Sequence, residues 1–149
     1  MIAKKNQKAF TLIETLFVVA VFAILILLTV PFSFDFYWRH QLDVFSEELV
    51  QNLRRAQLKS MSGEQDSNFG VYLGQNNYTL FKGSSWENRE EELDEIFDLP
   101  ENLSLEGVSE IVFSKIQGNP SVEGSITLNS NISSKTIFIN SLGRINLEY

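Results

Sequence analysis

Residues 10–34 read FTLIETLFVVAVFAILILLTVPFSF, and Glu14 is the only charged side chain among them. At about 1.5 Å per residue, residues 15–34 form a helix about 30 Å long, the thickness of the hydrocarbon core of a bilayer. A core helix of a soluble domain keeps one polar face, whereas residues 16–28 have none on any side, so the stretch is expected to span a membrane. Lys4, Lys5 and Lys8 precede it without an acid, and Asp35 follows it directly. That asymmetry places the N-terminus in the cytoplasm and everything after residue 34 outside. A cleaved secretory signal would have a shorter apolar run ending in small residues, and Thr29-Val30-Pro31-Phe32 supplies no such ending.

The rest of the composition bounds what can follow. The chain has 149 residues, 44% hydrophobic and 21% charged, which suits one folded domain and excludes a wholly disordered or collagen-like chain. A mean hydropathy of −0.05 averages the apolar block with a polar remainder. Without cysteine there is no disulfide or thiolate metal site, and a single histidine, His40, excludes a multi-histidine metal centre. Beyond residue 34 there are nine Lys and Arg against eighteen Asp and Glu, so the exported part is strongly acidic. The acid pairs Glu47-Glu48 and Glu90-Glu91-Glu92 are consecutive and point apart, so they do not form an acid-base pair on one reactant. No cofactor and no enzymatic activity are expected.

A carboxylate inside a span costs roughly 2.5–3.5 kcal/mol at the centre of the bilayer and needs a proton or a partner. Glu14, five residues into the apolar run, can alternatively stay hydrated at the cytoplasmic interface. Its setting is a short basic leader followed by Lys8-Ala9-Phe10-Thr11-Leu12-Ile13-Glu14. This string resembles the class III signal of type IV prepilins and pseudopilins. The resemblance implies a membrane prepilin peptidase that cuts between Ala9 and Phe10 and N-methylates Phe10; Ala9 stands where the family usually has Gly. Cutting there removes the leader lysines and creates an α-amino cation four residues from Glu14, within about one helical turn. In a filament that amine can sit beside Glu14 of a neighbouring subunit, each charge offsetting the other's desolvation. Pro31 matches a common pilin position. Its absent N–H is expected to kink the helix, or simply to mark the membrane exit.

Past the span, Trp38, Leu42, Phe45, Leu49, Leu53, Ala56 and Ser60-Met61 recur at helical spacing and continue the helix to about residue 61, where Ser62-Gly63 stops it. Short strands are predicted at residues 69–73, 78–82, 103–105, 110–114, 124–128, 136–140 and 144–147, the first two joined by Gly74-Gln75-Asn76-Asn77. Residues 87–98, with seven acids and Arg89, read as a solvated loop or short helix without the glycine-spaced pattern of a calcium loop. The fold class is therefore α+β, with a long N-terminal helix packed against an antiparallel sheet. Its segments are a leader at 1–9, a membrane and assembly helix at 10–34, an amphipathic continuation at 35–61 and a β-rich domain at 62–149.

The tail contains Phe113-Ser114-Lys115, Gly118-Asn119-Pro120, Gly124-Ser125-Ile126-Thr127-Leu128 and Leu142-Gly143-Arg144-Ile145. This order is similar to the GspH/FimT group of minor pilins, most closely to ComGD-type competence pilins. The resemblance implies a surface filament built with other major and minor pilins by a membrane assembly platform and its ATPase, serving uptake of extracellular DNA. An excess of acids repels phosphate, so direct contact with DNA needs a local basic patch, for which Arg54, Arg55, Lys59 and Arg144 are the candidates. Their ordinary reading is helix solvation and acid pairing. A type II secretion minor pseudopilin and an uncleaved single-pass surface binding protein are the alternative readings.

Overall fold

The structure, a computed structural model, describes residues 10–148, with the backbone alone for residues 28–35. It divides into two compact units, residues 1–37 and 38–149. Helix α1 (Leu12–Met61) runs through both. In the first unit its large side chains are exposed from Leu12 to Leu27 on all sides, as a segment without a polar face must be when no lipid or partner covers it.

In the second unit, Leu42, Ser46, Leu49, Leu53, Ala56 and Ser60 recur every three or four residues and are all buried. This stripe lies against eight strands: β1 (Phe69–Leu73), β2 (Asn77–Lys82), β3 (Glu95–Asp98), β4 (Leu103–Gly107), β5 (Glu110–Phe113), β6 (Gly124–Ser130), β7 (Ser134–Ile139) and β8 (Ile145–Glu148). They form two four-stranded antiparallel sheets, ordered β3-β2-β1-β5 and β4-β6-β7-β8. Val71, Leu80 and Ile111 from the first sheet and Ile126, Leu128 and Ile137 from the second join Leu49 and Leu53 of α1 in one apolar cluster. Burying each such side chain stabilises the domain by about 1.5–3 kcal/mol before entropy is counted. The α+β class with the helix packed on antiparallel strands is thus observed, with the strands divided between two sheets.

Gly63 ends the helix in the left-handed conformation at φ 66°, and Ser62 donates back to the Leu58 carbonyl at 2.9 Å. The Ser60 hydroxyl, fully buried, accepts from Phe69 N at 2.8 Å and fixes the start of β1 on the last turn of α1.

The acidic segment departs from expectation. Residues 87–98 contain a short 3₁₀ turn at Glu91–Leu93 and then the edge strand β3, which pairs with β2 through Leu80–Glu95 and Tyr78–Phe97. Alternation decides it. Phe97 stacks on Tyr78 at 4.9 Å, and Glu95 meets Arg55 of α1 at 2.7 Å, so both inward positions are satisfied. Arg89 organises the rest: it lies 3.7 Å over the Trp86 ring and pairs with Asp94 at 2.8 Å and Glu91 at 3.1 Å.

Beneath β3, the Tyr78 hydroxyl accepts from Asn52 Nδ2 at 2.8 Å and donates to Glu48 Oε1 at 3.2 Å, tying β2 to α1. Burial pushes the Tyr78 phenol well above its ordinary range, and the neighbouring Glu48 carboxylate adds to the shift against the opposing Asn52 bond. A phenol raised in the folded state stabilises it fully below the ordinary tyrosine value near 10, and this contribution is lost as pH rises toward the folded value. The unfolding free energy of the detergent-solubilised chain, from urea titrations, should therefore fall above pH 10, by up to about 1.4 kcal/mol per pH unit from this residue. Tyr78→Phe should flatten that slope while costing about 1–2 kcal/mol at pH 7. An unchanged alkaline slope in the variant would mean that another group titrates.

Candidate processing and assembly site

Thr11 is the last non-helical residue before α1, and Phe10 precedes it with 76% of its surface exposed. The Thr11 carbonyl accepts from Glu14 N at 3.1 Å and from Thr15 N at 3.2 Å, and its hydroxyl accepts from Glu14 N at 3.4 Å. Thr11-Leu12-Ile13-Glu14 is therefore a Thr-x-x-Glu helix start, with threonine at the cap and glutamate three positions in. Sequence reading singled out Glu14 for its charge and missed this second role, although the spacing alone carries it. The helix end concentrates partial positive charge at its N–H groups, where a carboxylate is favourable. An amine at Phe10, which the expected cleavage would create, would add a full positive charge at that same end. Leu12, Ile13, Leu16 and Phe17 are exposed on the same first turns, an apolar surface left without a covering partner among the described residues.

Ala9, the other residue of the cleavage pair, and the side chain of Pro31 lie outside the described residues. Among the described residues no helix is long and apolar enough to cross a membrane; the predicted span continues through residues 28–34, whose side chains are outside that set.

The candidate DNA-contacting cations have different surroundings. Arg54 donates to the Ile145 carbonyl at 3.2 Å and holds β8 to α1. Arg55 pairs with Glu95, while Lys59 lies 3.5 Å from Glu64, 3.8 Å from Glu95 and 5.1 Å from the Phe69 ring centre. These three groups thus turn toward partners on both sheets. Arg144 is exposed in the turn before β8, where its backbone N–H donates to Asn140 Oδ1 at 2.8 Å. Its side chain makes no ion pair among the described residues.

The tail motif has a packing explanation that sequence reading missed. Gln57 Nε2 donates to the carbonyls of both Gly118 and Gly143 at 2.9 Å, bringing the turn before Pro120 and the turn before Arg144 together on α1. Gly118 and Gly143 are buried with φ of 68° and 77°, a region costly to any residue with a Cβ.

The family described as the prokaryotic N-terminal methylation motif matches residues 4–30, which include Ala9, Phe10 and Glu14. No curated protein matches the chain. The fold is similar to that of the minor pseudopilin EpsH from the Type 2 Secretion System of Vibrio cholerae, with a TM-score of 0.59 at 10% identity over 72% of this chain and 96% of that one. The fold is therefore pilin-like. At its N-terminal end the chain carries a prepilin-type methylation motif.

Proposed function

We propose that this chain is a minor pilin of a competence type IV pilus. Prepilin peptidase cuts between Ala9 and Phe10 and methylates Phe10. Before the cut the chain is a single-pass membrane protein, held by residues 10–34 with its N-terminus in the cytoplasm. After it, the assembly platform and its ATPase draw the helix into a surface filament with other pilins. Extracellular DNA is the cargo of that filament. The observation that carries the proposal is the methylation motif at residues 4–30, leading into a helix whose later half is the core of a pilin-like domain. Direct DNA contact by this subunit rests mainly on Arg144, because Arg54, Arg55 and Lys59 have intramolecular partners.

Likeness to EpsH supports a second reading, a type II secretion pseudopilin with the same processing and a protein cargo. Mass spectrometry of the membrane-extracted subunit tests the part common to both: the expected N-terminal peptide begins at N-methylated Phe10, and Ala9→Gly should speed its appearance. A mature protein retaining Met1 would instead establish the uncleaved surface protein. Loss of transformation in a deletion strain with secretion intact is expected for the competence pilus. The opposite result would assign the chain to secretion.

A further inference from the structure

Arg39 follows Phe34, the end of the predicted span, by five positions, so even a fully extended backbone keeps their Cα atoms within about 17 Å. Arg39 lines a cavity of about 240 Å³ with Leu42, Asp43, Ser133, Ser134 and Lys135. α1 supplies Arg39, Leu42 and Asp43, and the turn before β7 with the first two residues of that strand supplies Ser133, Ser134 and Lys135.

The chemistry of the lining is unlike that of the acidic domain around it. Lys135 has a side chain only 8% exposed, with Nζ 2.7 Å from Asp43 Oδ1, an enclosure that lysine rarely accepts. Arg39 is exposed and makes no ion pair among the described residues. Ser133 is held through its backbone, accepting from Ser130 and donating to the Ser130 hydroxyl, which leaves its own hydroxyl for another partner. Arg39, Ser133 and Ser134 line one small cavity beside the Lys135–Asp43 pair, whose ammonium is itself buried, and a guanidinium with two hydroxyls matches the oxygens of a phosphodiester. Asp43 offsets one of the two cations and so weakens capture of a dilute free anion.

We propose that this cavity binds the phosphodiester of an anionic phospholipid headgroup on the outer face of the membrane, holding the domain at the bilayer until the subunit is drawn into the filament. The assignment to lipid, and not to phosphate in solution, follows from the tether: a group confined near the surface meets headgroups at an effective concentration in the millimolar range. The inference rests on the proposed anchoring by residues 10–34.

Full-length chain is reconstituted into vesicles of phosphatidylcholine, or of phosphatidylcholine with one third phosphatidylglycerol, floated, and followed by amide hydrogen exchange at residues 39–43 and 132–136. Exchange should be at least about fivefold slower with phosphatidylglycerol than without, an effect that is reduced by salt and by Arg39→Gln. Asp43→Asn should strengthen the protection. A third sample of phosphatidylcholine vesicles with soluble glycerol phosphate should exchange as fast as phosphatidylcholine alone. Equal exchange in both lipids, or protection by glycerol phosphate matching that by phosphatidylglycerol, would overturn the headgroup assignment. Failure of the chain to float with either vesicle would instead remove the anchor on which the assignment rests.

Discussion

Glu14→Ala should leave the chain inserted in the membrane and processed, yet reduce its recovery in sheared filaments by at least about a hundredfold. The magnitude follows from the pairing: removing one member of a buried ion pair strands the other charge, at about 3–5 kcal/mol per subunit contact. In the membrane that penalty would be absent, because on the proposed processing the Phe10 amine stays at the cytoplasmic interface and insertion depends on the apolar residues that follow. Glu14 also occupies the third position of a helix capped by Thr11, so loss of the cap must be separated from loss of the charge. Glu14→Gln makes the separation, since an amide serves at the third position of such a start but cannot neutralise an amine. The helix-start contribution is about 0.3–1 kcal/mol, too small for the full effect. Glu14→Gln should therefore assemble as poorly as Glu14→Ala. If Gln restored assembly to wild-type levels, the glutamate would be a capping residue and the counterion role would be wrong.

What could be read in advance, and what could not, follows from the distance between interacting residues. The stripe from Leu42 to Ser60 and the stop at Gly63 are local patterns, visible because a helix repeats every 3.6 residues. The β1–β2 hairpin is local too, its Gly/Asn turn sitting between two apolar runs. β3 was hidden because seven acids in residues 87–98 suggest solvent, while the partners that accept Glu95 and Phe97 are Arg55 and Tyr78, outside that segment. Polar pins between α1 and the sheets are equally silent: nothing near Ser60, Gln57 or Asn52 in sequence says which strand or turn each will hold. At the candidate site the charge and position of Glu14 were legible from the string around it. The division of Arg54, Arg55 and Lys59 among three different carboxylates and carbonyls was not, since it depends on where β3 and β8 fall beside the helix.

Gly143→Val should destabilise the domain by about 4 kcal/mol, a large share of the 5–15 kcal/mol that domains of this size possess. Three costs combine. A β-branched side chain at φ 77° is strained by roughly 1–2 kcal/mol. A Cβ there would also collide with Gln57 Nε2 and come within 2.6 Å of the Gly118 carbonyl, so Gln57 must leave. With it go two hydrogen bonds to buried residues, each contributing about 1 kcal/mol, and their carbonyls lose their donor. Gln57→Ala isolates that last part and should cost about 2 kcal/mol without backbone strain. The disturbance also reaches the core directly, because Ile145, two residues on, is buried and its carbonyl is held by Arg54. Thermal melting of the detergent-solubilised chain is the measurement, and a Gly143→Val midpoint within a couple of degrees of wild type would show that the turn adapts. The glycine of the Gly-Arg-Ile segment then acts by packing, whereas the arginine beside it stays in solvent and available for contact. Glu14 variants should melt like wild type and fail only at assembly, so melting and filament recovery together distinguish a residue that makes the subunit from one that joins subunits.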